Sequence, residues 1–156
     1  MINTRGLKIG YYDLKCLVLK MIRSTKNLIT HQSPSPSFLL VLSPPYAGST
    51  LVHELLSTVS ANNIFGRREG RGLPKVRRII NYRRQWEADF VFQWPEIKAV
   101  WLKYWDRSKA VLLDKNPANI LRSKNIVKHF NPAYFLIVVR DPYAHCESLI
   151  RRDKMS

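Results

Sequence analysis

The chain has 156 residues and 18.2 kDa, the length of one ordinary domain, and its 46% hydrophobic, 11% aromatic and 24% charged residues make a globular balance. Its 26 Lys and Arg against 11 Asp and Glu leave a net charge of +15, so the expected partners are anions: nucleic acid, an acidic membrane, or a phosphorylated or sulfated small molecule. Cys16 and Cys146 lie far apart, which excludes a disulfide scaffold and a cysteine zinc centre, and no run reaches the roughly 18 apolar residues of a membrane span. With no secretory signal either, a metal-free cytoplasmic protein is expected.

Residues 1 to 30 carry Tyr11, Leu14, Val18, Met21, Ile22 and Leu28 among Lys and Arg, a loose helical period that predicts a basic amphipathic helix. The expectation is a helix packed on the domain, or an arm, ahead of membrane-surface binding. Ser33-Pro34-Ser35-Pro36-Ser37 then breaks the helix, so 1–37 reads as an arm with its linker and 38–156 as the domain.

Phe38 to Leu42 is an unbroken apolar run of strand length, the mark of a strand covered on both faces in a parallel sheet. A turn over Ser43 to Gly48 follows, and Leu51, Leu55, Leu56 and Val59 give helical spacing from Ser49 to Ser60. Between Arg67 and Arg84 eight basic residues face one acid, Glu69. Pro95 opens a second helix whose Ile97, Val100, Trp101, Tyr104 and Trp105 are expected in the core. Ala110 to Leu113 reads as a buried strand, Asn116-Pro117 as the cap and first residue of a helix to Phe130, and Tyr134 to Val139 as a third strand. Asp141-Pro142 repeats the cap before a helix through Ile150. The sum is an α/β fold of three strand-helix units with a short parallel sheet, cut off early.

Ligands of open parallel sheets bind at the carboxyl ends of strands. Two such ends suit an anion: Tyr46-Ala47-Gly48-Ser49-Thr50, where glycine lets backbone amides approach and hydroxyls add donors, and Arg140 after the third strand. Gly48 is followed by Ser49-Thr50 rather than Lys-Ser/Thr, so this is not a Walker A loop and an ATP-Mg site is disfavoured. His53, His129 and His145 fall on helices, where packing or surface roles are expected.

Ser43-Pro44-Pro45-Tyr46-Ala47-Gly48-Ser49-Thr50-Leu51, followed by Ile137-Val138-Val139-Arg140-Asp141-Pro142 and Ser148, resembles the sulfotransferase family, which transfers a sulfuryl group from 3'-phosphoadenosine 5'-phosphosulfate (PAPS). Glu69-Gly70-Arg71-Gly72-Leu73-Pro74 and Leu113-Asp114-Lys115-Asn116-Pro117 extend the resemblance, which runs from Phe38 to Arg152. It implies a P-loop-like three-layer fold, with Ala47, Gly48, Ser49 and Thr50 on the 5'-phosphosulfate and Arg140 and Ser148 on the 3'-phosphate. It further implies Glu69 as the base for a hydroxyl or amine acceptor and Lys115 as the cation at the leaving oxygen, with no metal. Arg67, Arg68 and Arg71 would hold Glu69 ionised and lower its basicity.

Tyr46 departs from the pattern, since the family places Lys or Arg there; a phenol can donate a hydrogen bond to the leaving oxygen but brings no charge. The family also continues well past the Arg-Asp-Pro helix. The acceptor, whether carbohydrate, protein tyrosine or small alcohol, is not legible. Two other readings stand beside transfer: an inactive, truncated nucleotide binder, and a basic nucleic-acid-binding protein using Arg67 to Arg84 with Tyr82 and Trp86 as stacking groups, which lacks any recognisable reading motif.

Overall fold

A computed structural model describes residues 4–31, 35–57, 61–63, 69–81 and 83–153. Part of the expected Ser/Pro linker, together with Arg67, Arg68 and Tyr82, lies outside the described residues. Strand β1 (Ser37–Leu42) is the apolar run, and its side chains alternate between two packed layers as the two-residue period of a strand requires. Phe38, Leu40 and Leu42 face the larger core with Leu112, Trp94, Trp101, Trp105 and Phe130, while Val41 packs with Leu113 and Leu56 on the other side. Both faces are covered, so β1 can be apolar throughout.

The sheet has four strands in the order β2-β3-β1-β4, all parallel, with β2 at Ala61–Asn63, β3 at Val111–Lys115 and β4 at Ala133–Ile137. Three strands are expected from the sequence; β2 is the addition, a three-residue edge piece whose Ala-Asn-Asn composition carries no strand signal and which exists through pairing with β3. Helix α2 (Ser49–Leu56) leaves β1 towards β2, whereas β4 lies on the opposite flank of β1. The connections therefore diverge at the carboxyl end of β1, the crevice where open parallel sheets take their ligands.

Three predicted helices are shorter or differently wound. Helix α2 stops at Leu56, and α4 (Trp94–Trp101) ends in turns through Trp105, with Tyr104 and Trp105 still buried as expected. The stretch after Asn116 is a 3-10 helix (Pro117–Arg122) running into α5 (Ser123–His129), with the Asn116 side chain accepting from the Ala118 amide as its cap. Where the winding changes, Arg122 is buried and donates to the carbonyls of Gln85 (2.7 Å), Ala118 (3.1 Å), Glu87 (2.5 Å) and Phe90 (3.5 Å), while its guanidinium lies 4.0 Å from the centre of the Phe92 ring. Helix α3 (Pro74–Ile80) contributes Val76 and Ile80 to the core, and α6 (Pro142–Asp153) follows β4.

Helix α1 (Thr4–Ile29) packs on this body through Cys16 and Leu19, which join the larger core, and through polar contacts. Arg23 (2.8 Å) and Lys26 both reach the buried carboxylate of Asp106, and the Asn27 side chain donates to the Trp105 carbonyl and accepts from the Arg107 amide, each at 3.0 Å. Burial, the largest single influence, pushes the Asp106 carboxyl up, but hydrogen bonds from Lys26 and from the Ser108 hydroxyl and amide, with the Lys26 charge, hold it down at about 2.

Candidate functional site

The loop leaving β1 turns through two left-handed residues, Tyr46 at φ 65° and Gly48 at φ 92°. Glycine takes that conformation freely; tyrosine takes it at a cost. The turn starts α2 at Ser49 with no side-chain cap at Gly48, which leaves the first helical amides without intrahelical acceptors. A Cβ at Gly48 would meet nothing within 4 Å, so the space before these amides is open. That combination accepts an anion.

A cleft of about 570 Å3 opens there, lined by Tyr46, Gly48, Ser49 and Thr50 on one side and by Glu69, Arg71, Trp86, Lys115 and Arg152 on the others. Lys115 arrives from the end of β3, in register with Val41 of β1. Its Nζ donates to Glu69 Oε1 (2.7 Å) and to Thr50 Oγ1 (3.3 Å), although the residue is only 6% exposed. Arg71 pairs with the other oxygen of Glu69 and donates to Gln85 Oε1 at 2.6 Å. Three cations, Arg71, Lys115 and Arg152, thus share the cleft with one carboxylate.

Beneath them the carboxyl of Asp114 is fully buried and accepts from the Gly70 amide at 2.7 Å, which ties the turn bearing Glu69 and Arg71 to the end of β3. Burial pushes the Asp114 carboxyl up to about 7, against the opposing pull of the Gly70 amide and Lys115. His53, on α2, is also buried; desolvation first and the charge of Lys115 second hold its imidazole below the usual range. Among the described residues its Nδ1 has no hydrogen-bond partner.

Strand β4 continues beside the loop, where the Val138 amide donates to the Leu42 carbonyl at 2.9 Å, and delivers Arg140 to the start of α6. Arg140 Nη1 donates to Ser148 Oγ at 2.8 Å, bridging the eight-residue separation directly. Asp141 caps the helix by accepting from the Ala144 amide (3.0 Å). Helix α6 is fastened to the loop at two further points: His145 Nε2 lies 2.7 Å from the Pro45 carbonyl, and the Arg152 guanidinium stacks 4.9 Å from the centre of the Tyr46 ring.

Of the residues singled out in the sequence, Tyr46, Gly48, Ser49, Thr50, Glu69 and Lys115 meet in one cleft. Ala47 is buried beneath the loop. Arg140 and Ser148 form an exposed pair outside that lining, joined to it through α6. Sequence reasoning missed Arg152, Asp114 and Gln85. The available signal for Arg152 was its position four residues after Ser148 and seven after His145, on the same face of one helix. Among the described residues no cluster of His, Cys, Asp and Glu is arranged to hold a metal ion. The chain matches no protein-family model and no curated protein.

Proposed function

We propose that the chain is a PAPS-dependent sulfotransferase acting on a hydroxyl or amine acceptor. The observation that carries this reading is the meeting of the Gly48 to Thr50 turn with Lys115 in one cationic cleft, at the strand end next to the Arg140–Ser148 pair. Two anion sites on adjacent strand ends suit a nucleotide with two separated phosphate groups. The order β2-β3-β1-β4, with the anion loop after central β1, supports a P-loop-like identity.

In this reading the Gly48, Ser49 and Thr50 amides and the Thr50 hydroxyl hold the 5' end of PAPS, Arg140 and Ser148 hold its 3'-phosphate, and Lys115 meets the charge that builds on the leaving oxygen during transfer. Bound PAPS supplies the sulfuryl group and its phosphate leaving group. Tyr46 brings no charge of its own, but the guanidinium stacked on its ring restores a cation to that side of the loop. Glu69 has both carboxylate oxygens engaged, by Arg71 and by Lys115; when Lys115 turns to an incoming anion, Oε1 is released to take the acceptor proton.

Calorimetric titration with adenosine 3',5'-bisphosphate tests the reading, run beside Arg140→Ala and at two salt concentrations. Micromolar binding that is lost in Arg140→Ala supports it, and unchanged affinity in that variant overturns it. Binding without sulfuryl transfer to any tested acceptor class identifies an inactive nucleotide binder.

A further inference from the structure

Helix α1 packs on the body through a side that mixes apolar and polar residues. At ~100° per residue, Cys16, Leu19, Arg23 and Asn27 fall on that side of the helix: Cys16 and Leu19 join the core, Arg23 reaches Asp106, and Asn27 bonds Trp105 and Arg107. Leu14, Leu17, Met21, Ile22, Leu28 and Ile29 fall on the opposite side, within an arc of about 140°, and all are exposed, Met21 by 64% and Leu28 by 86%. The ion pairs to Asp106 fix the rotation of the helix, so the outward apolar stripe is set by the structure.

Cations stand at both edges of the stripe. Lys15 follows Ile22 around one edge; beyond Leu17 on the other come Asp13, paired with Arg77, and then Lys20, which lines a notch with Lys75, Lys103 and the acid Glu96. An apolar stripe between cationic margins, on a chain of net charge +15, is complementary to an anionic lipid surface: the stripe enters the acyl boundary while lysines stay at the phosphates. Among the described residues no helix is long and apolar enough to cross a membrane, and an apolar stripe along one side of a helix suits a position parallel to a lipid surface. A second copy of the chain would meet the stripe with the same positive margins and be repelled. We infer that α1 is a peripheral membrane-docking element that seats this protein on anionic lipid through its outward apolar stripe and flanking lysines.

Cosedimentation of the full chain with phosphatidylcholine vesicles, with and without phosphatidylserine, tests this directly and needs no assumption about the cleft. Binding is expected only with phosphatidylserine, weakening as salt is raised. The double substitution Leu17→Glu with Met21→Glu is expected to lower partitioning on the order of tenfold or more, with an unchanged thermal midpoint because both side chains already face solvent. Lys75→Glu with Lys103→Glu is expected to lower it several-fold and flatten the salt dependence. Equal binding to vesicles without phosphatidylserine, no binding to either, or undiminished binding by the Leu17/Met21 variant overturns the inference. So does self-association in lipid-free buffer that this variant abolishes, which would make the occupant a second copy.

Discussion

Asp114→Asn tests how the floor of the cleft is held. The substitution keeps the side-chain shape and an oxygen for the Gly70 amide, but removes the titration. The Asp114 carboxyl has an ordinary value of 3.8 and is pushed up to about 7 in the folded chain, chiefly by burial. Below 3.8 both folded and unfolded chains hold the proton; above 7 neither does; between them only the folded chain does. Folding stability from this group is therefore greatest at low pH and is lost as pH rises through that window, at about 1.4 kcal/mol per pH unit. Roughly three units give at most about 4 kcal/mol, or a shift of about 8 to 16 °C in thermal midpoint for a chain of this size. His53 acts in the opposite sense: its lowered imidazole value adds stability as pH rises through the ordinary 6.5. Asp106, held near 2, adds stability that is lost only in strong acid. Both remain in the variant and cancel in the comparison. Thermal unfolding followed by circular dichroism from about pH 4.5 to 8 should show the variant gaining on the wild type as pH rises. A difference that stays constant across that range refutes a protonated Asp114 at the base of the cleft.

Other substitutions probe separate parts of the same argument. Lys115→Ala should leave adenosine 3',5'-bisphosphate affinity within a few-fold, as read by calorimetry, while lowering sulfuryl transfer by about a hundredfold or more, the scale of losing one transition-state charge partner. Gly48→Ala meets no neighbour but must sit at φ 92°, so it should cost about 1 to 2 kcal/mol in denaturant unfolding and weaken nucleotide binding. Arg122→Met strips the donors from the four carbonyls that it gathers and should cost about 3 kcal/mol by thermal unfolding, with loss of the Gln85 to Phe90 loop conformation.

The parts of the fold that could be read in advance are those where local pattern and tertiary demand agree. Phe38 to Leu42 is apolar because both of its faces are covered, and Asn116-Pro117 and Asp141-Pro142 start their helical segments where the cap chemistry says they should. Strand β2 was not legible, because Ala61–Asn63 is three residues long, pairs as an edge, and has a composition that carries no strand signal. The periodicity of α1 was visible, yet which side packs inward depends on Asp106, some eighty residues away, and no local pattern reports that. Within the site, the turn at Gly48 and the approach of Lys115 were readable as motifs. The fate of individual arginines was not: Arg122 is sealed in the interior, Arg71 grips Glu69 and Arg152 covers Tyr46, and among 26 basic residues only three-dimensional placement separates them.

Glu69 gives the cleft a built-in counter-ion. With Arg71 and Lys115 both engaged by its two oxygens, part of the positive charge of the cleft is balanced from within, and the lysine is held in position. An incoming anion must therefore outbid a carboxylate that is covalently tethered and always present. On the proposed reading, a phosphate-bearing molecule that also engages the loop amides and a second cation replaces that carboxylate on the lysine, whereas an anion with a single point of contact has fewer donors to set against it. On that reading the carboxylate sets a threshold that an anion must exceed to reach Lys115.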